Sequence, residues 1–114
     1  MAKSAFNFNN YNFTFDKNEK KILSTFCKQA IKQMETDKKY AQEVAIFTSI
    51  LQKLESNESE IKFTKNEKTR LGFQLRENTK QLKIRMDKAN FFMRWFYKSI
   101  YIQYSNLVSN YFKD

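Results

Sequence analysis

Along residues 65–111, apolar side chains return every three or four positions: Leu71, Leu75, Leu82, Met86, Ala89, Met93, Phe96, Ile100, Tyr104, Leu107 and Tyr111. A spacing near 3.5 residues marks a helix with one buried seam. The pattern predicts a single long basic and aromatic helix over 64–112, roughly 70 Å from end to end at ~1.5 Å per residue. A rod of that length outruns a compact core. Its seam must lie along an antiparallel neighbour or against a second copy of the chain. A second stripe, Phe73, Ile84, Phe91, Trp95 and Ile102, falls on another side of the same helix and calls for a second cover.

Upstream, Leu23, Phe26, Cys27, Ala30 and Met34 form one helical stripe, and Tyr40, Val44, Phe47, Leu51 and Leu54 form another. Residues 16–55 therefore read as a first helical region, either one bent helix or two helices parted near 35–38, where Thr36 or Asp37 is placed to cap a new start. The run from Glu55 to Glu60 is polar, acidic and aperiodic, so 56–63 is expected to be a connection. Before the helices, AFNFNNYNFTF (5–15) alternates rings with polar residues, the period of an extended strand. An aromatic arm over 1–15, laid on the helices, is expected in preference to a lone hairpin turning at Asn9 and Asn10, which is marginal in water. The fold class that follows is all-α: an antiparallel helical hairpin or three-helix bundle, with one long C-terminal helix and an extended aromatic N-terminal arm, in a single domain.

One hexamer occurs twice, as FDKNEK at 15–20 and FTKNEK at 63–68. With Asp16 or Thr64 at the N-cap, Glu19 or Glu67 falls three residues on, the spacing at which cap and carboxylate each accept the other's backbone N–H. Phe15 and Phe63 then stand just before the caps. The usual apolar staple partner is replaced by Lys20 or Lys68, leaving Leu23 and Leu71 as the nearest apolar residues. Two helix starts account for the repeat without a ligand. Further matches at the same offset, Leu23/Leu71, Lys32/Lys80 and Gln33/Gln81, also fit a remnant of duplication.

Composition sharpens this reading. The 114 residues include twelve Phe, six Tyr and one Trp, no Pro and one Gly, at position 72. Rings must supply much of the burial, and turn-rich architectures are disfavoured. Histidine is absent and Cys27 is alone, so a His/Cys metal site, the commonest neutral-pH general base and an intramolecular disulfide are all excluded. With neither a basic start nor an apolar core to a secretory signal in residues 1–16, a cytoplasmic, reducing, intracellular setting is expected.

The net charge of +9 is unevenly placed. Residues 62–98 carry eleven Lys or Arg against Glu67, Glu77 and Asp87, whereas residues 40–61 carry one Lys against four Glu. Arg76, Lys80, Lys83, Arg94 and Lys98 lie between the two apolar stripes of the long helix and would steer an anionic partner. Phe91 and Trp95, flanked by Arg94 and Lys98, have the residue types of a protein hot spot or of a stacking platform for bases. The plainer readings are core packing for the rings and a solvated face for the cations.

Catalysis has no visible constellation. Glu58 and Glu60 solvate a connection, and Cys27 lies on an apolar stripe where an inert thiol is expected. No cofactor, metal or small-molecule substrate is implied. The expected function is non-catalytic binding of a macromolecular partner, as regulator, inhibitor or assembly subunit, with self-association as a homodimer. The alternative is nucleic-acid binding through phosphates. Arg94, Lys98, Asn90, Gln103, Asn106 and Asn110 oppose a transmembrane helix, leaving interfacial attachment as a third reading.

Overall fold

Both copies of the hexamer fold as the same junction, a short strand running into a capped helix. In the computed structural model, which describes residues 10–113, strand β1 (Asn10–Phe13) leads to helix α1 (Lys17–Met34). At the first junction the Asp16 carboxylate accepts the Glu19 N–H at 2.7 Å, and the Glu19 carboxylate accepts the Asp16 N–H at 3.0 Å. At the second, between strand β2 (Ile61–Thr64) and a later helix, Thr64 Oγ1 accepts the Glu67 N–H at 3.1 Å and Glu67 Oε1 accepts the Thr64 N–H at 2.9 Å. Each reciprocal pair satisfies two donors near a helix start.

The two junctions meet. β1 and β2 pair antiparallel, with Tyr11 opposite Phe63 and Phe13 opposite Ile61. Phe15 and Phe63, the residues that precede the two caps, lie 6.4 Å apart ring to ring, and Phe13 is 5.2 Å from the first and 5.5 Å from the second. Such tilted or offset ring pairs add ~0.5–1.5 kcal/mol each to what burial alone provides.

Between the strands, α1 stops at Met34 and Asp37 starts a short 3₁₀ turn (Lys38–Tyr40), its carboxylate accepting the Lys39 N–H at 3.1 Å. Helix α2 (Ala41–Leu54) follows, so residues 16–55 form two helices. They pack on each other. Lys28 pairs with Glu55 at 3.1 Å, and Lys20 Nζ donates to the Glu58 carbonyl at 2.8 Å, so the end of α2 lies beside the first half of α1. These surface contacts are worth ~1 kcal/mol or less; the stability resides in the core. That core joins Phe15, Leu23, Phe26 and Cys27 to Phe47, Ile50, Leu54, Ile61 and Phe63. Removing each large side chain from water contributes ~1.5–3 kcal/mol. Phe47 and Leu54 of the expected stripe are buried and Val44 and Leu51 half-buried, Ile50 joins them on the same face, and Tyr40, in the 3₁₀ turn ahead of α2, is exposed.

The long helix expected over 64–112 is broken. Helix α3 (Lys65–Lys88) ends before Ala89, and helix α4 (Phe91–Tyr111) begins after Asn90, whose side-chain oxygen accepts the Met93 N–H at 2.9 Å. Asn90 is a helix N-cap, and the basic last turn of α3, Arg85 and Lys88, precedes it. Two other expectations change. The acidic connection is shorter than 56–63, because the alternation of Ile61 and Phe63 with Lys62 and Thr64 is a strand with buried and exposed positions in turn. Residues 10–13 of the aromatic arm belong to the sheet, while Phe6 and Phe8 lie outside the described residues.

The described chain is mostly helical, with four α-helices and one two-stranded sheet. It divides into two compact units, one ending at Lys68 and one beginning at Thr69. Within the second unit, Leu71, Leu75, Leu107 and Phe112 are buried. Phe112 sits over Gly72: a Cβ at that glycine would lie 3.4 Å from two atoms of the ring residue. Arg76 Nη1 donates to the Phe112 carbonyl at 2.9 Å, so the end of α4 is tied back to the middle of α3.

Candidate functional site

The break at Ala89 and Asn90 creates an elbow, and the side chains around it are those that the fold leaves uncovered. Phe91, Phe92 and Trp95 are 82%, 80% and 77% exposed, and Phe96 and Ile102 about half. A turn of 100° per residue puts Phe91, Trp95 and Ile102 on one outward face of α4, with Arg94 and Lys98 along its flank. Phe91 and Phe92 meet edge to face at 5.9 Å, and Phe96 leans on Tyr97 at 5.8 Å. Rings at the buried face of α4 behave differently: Tyr97, Tyr101 and Tyr104 are half-buried and Leu107 is fully buried. Phe73 and Ile84 of α3, the remaining members of the second stripe, are also about half exposed.

The basic residues separate into two groups. Arg76 is half-buried and committed to the Phe112 carbonyl, so it serves the fold and does not stand with the other cations. Lys80 lies 3.3 Å from Glu77, and Lys83 lies 3.5 Å from Asp87. Both are exposed and partly neutralised. Arg94 and Lys98 are exposed, with one Arg94 nitrogen 3.4 Å from the Ala89 carbonyl. No acidic residue occupies the first turn of α4. A shallow, open hollow of about 440 Å³ at the elbow is lined by Ile84, Arg85, Lys88, Ala89, Asn90, Met93 and Tyr97, on the side of α4 away from Phe91, Trp95 and Ile102. Arg85 and Lys88 were not among the sequence candidates. They come beside Met93 and Tyr97 of α4 only because the chain turns between them. Asn90 ahead of an apolar run was the one signal for that turn.

A second set of polar contacts surrounds Glu67. Glu67 is 6% exposed and collects the Ser49 hydroxyl at 2.6 Å, the Lys53 ammonium at 2.6 Å and the Thr64 N–H at 2.9 Å. Burial pushes its pKa up, but the bonds from Lys53, Ser49 and Thr64, with the Lys53 charge, outweigh that and hold the carboxyl below its ordinary value. Burial pushes the Cys27 thiol up to about 12, which leaves it a poor nucleophile. Lys68 stands 5.2 Å from the centre of the Tyr11 ring, a cation–π contact beside the sheet. Among the described residues no group of three or more His, Cys, Asp or Glu is placed to hold a metal ion, and no helix is long and apolar enough to cross a membrane.

Comparison with known proteins found no matching family model, no matching curated protein and no matching solved structure.

Proposed function

We propose that this is a non-catalytic binding protein whose working surface is the aromatic, cation-flanked elbow between α3 and α4. The observation that carries the reading is the exposure of Phe91, Phe92 and Trp95 close together on α4. Three large rings left in water forgo several kcal/mol of burial that a partner would restore. The partner's surface is acidic. A symmetric homodimer through the same face would bring Arg94 and Lys98 near their own copies, a like-charge cost that a foreign anionic surface turns into attraction. The protein then acts as a regulator, inhibitor or assembly subunit by covering that surface.

Trp95 is the chain's single tryptophan and serves as its own reporter. Its emission and its quenching by acrylamide are to be followed against anionic vesicles, single- and double-stranded oligonucleotides, and polyglutamate, and on dilution of the protein alone. Shielding of Trp95 by at least one anionic probe is the expected result. Shielding by none of them refutes the reading, and a dilution-dependent signal in their absence assigns the face to self-association.

A second reading, phosphate binding to DNA or RNA, draws on the basic excess of residues 62–98. Its cations are Lys80, Lys83, Arg94 and Lys98, since Arg76 is used internally. Affinity for oligonucleotides that falls steeply with salt supports it, and absence of affinity at low salt removes it.

A further inference from the structure

We infer that the surface this elbow covers is the headgroup region of an anionic phospholipid bilayer; the inference rests on the binding reading above and names its partner. Four observations converge. The uncovered rings are two Phe and a Trp, side chains that settle at the boundary between headgroups and acyl chains. The cations near the elbow, Arg85, Lys88, Arg94 and Lys98, are opposed locally only by Asp87, which Lys83 engages at 3.5 Å. Lys98 stands seven residues from Phe91 on α4 and Arg94 lies beside it, so cationic and aromatic side chains share one side of that helix, the combination that an anionic headgroup above hydrocarbon meets. No helix among the described residues is long and apolar enough to span, so attachment is to one face of the bilayer.

The same observations rank the other occupants lower. A nucleic-acid backbone would satisfy the cations but leave Phe92, Phe96 and Ile102 wet. A second copy of the chain would meet like charge. Hydrocarbon accepts protruding rings without a matched pocket, and anionic headgroups satisfy the cations at the same depth.

The test uses the full chain with vesicles of phosphatidylcholine alone and with phosphatidylserine added to about a third, read by co-sedimentation and by Trp95 emission. Binding to the anionic vesicles, absent with neutral ones and weakened by salt, is expected, with a blue shift of Trp95 and protection from aqueous quencher. The double variant Phe91→Ala/Phe92→Ala should lose about tenfold or more in partitioning. Arg94→Gln/Lys98→Gln should lose several-fold and flatten the salt dependence. All four positions are exposed, so far-UV circular dichroism should match the parent chain. Failure to bind anionic vesicles, or binding that leaves Trp95 unshifted, overturns the inference. If oligonucleotides or polyglutamate shield Trp95 and vesicles do not, the lipid assignment falls while the binding surface stands; if nothing does, both fall.

Discussion

Glu19 and Glu67 occupy the same place in the repeated hexamer, and replacing each by Ala should separate what the hexamer does from what its surroundings add. Glu19 is partly exposed and its bond to the Asp16 N–H can be replaced by water, so Glu19→Ala should cost ~0.5–1 kcal/mol, the lower range for a lost cap contact. Glu67→Ala strands more. It removes the acceptor of the Thr64 N–H, of the Ser49 hydroxyl and of the Lys53 ammonium. Bonds to a charged acceptor are worth ~1.5–3 kcal/mol each when both ends are dry. The Lys53 side chain, however, is 35% exposed and recovers much of its hydration, so its share is discounted. The expected total is ~2–4 kcal/mol, which for a chain of this size lowers Tm by roughly 8–16 °C. Urea unfolding followed by far-UV circular dichroism provides the comparison, with unchanged m-values required for both variants. Equal costs for the two substitutions would show that the contacts of Ser49 and Lys53 with the buried Glu67 carboxylate contribute nothing beyond a cap, and the account of that site would be withdrawn.

The same carboxylate sets a pH dependence. Its folded pKa is lowered, so the stability it provides is present above the unfolded value near ~4.3 and is lost as pH falls through the lower folded value; the difference in urea midpoint between the parent chain and Glu67→Gln should shrink across that acidic window. Cys27, buried and with its thiol pushed up to about 12, should resist a disulfide-exchange reagent in the folded chain and react promptly in urea; rapid native labelling would contradict its burial. Gly72→Ala should be near neutral, because the ~1 kcal/mol gain in helix propensity is offset by the added methyl lying 3.2 Å from Arg76 Nη1, the nitrogen that donates to the Phe112 carbonyl. Gly72→Leu should instead destabilise by ~1–3 kcal/mol as Phe112 is displaced, a contrast that thermal melts would register.

How much of this was legible beforehand depends on the range of the forces involved. The caps at Asp16 and Thr64 were readable because a capping box is a local device, fixed by residues three apart. The stripe Leu23, Phe26 and Cys27 was readable for the same reason. Strand β2 was hidden because four residues, Ile61–Thr64, are too short for alternation to stand out, and their pairing partner lies some fifty residues earlier. The break at Asn90 was hidden because the apolar spacing continues through it, from Met86 and Ala89 to Met93 and Phe96, as it would in one helix. Only the cap chemistry of Asn90 betrays the turn, and Asn inside a helix is an ordinary, mildly unfavourable occupant. Of the candidate site, Phe91, Trp95, Arg94 and Lys98 were found from spacing along one helix. Arg85 and Lys88 required the turn, and the diversion of Arg76 to the Phe112 carbonyl required coordinates.

The clasp of Phe15 on Phe63 has a consequence for biogenesis. Helices α1 and α2 are neighbours in sequence and are free to zip together as soon as both have left the ribosome. The ring at Phe15 stays without its counterpart until translation has passed residue 63, a delay of several seconds at ~5–20 residues per second. During that interval the nascent chain carries an open strand and an unsheltered aromatic, the condition in which a trigger chaperone or a stray β-edge would engage it. A synonymous-codon change that slows elongation between residues 55 and 63 should therefore lengthen its window of aggregation without altering one atom of the finished protein.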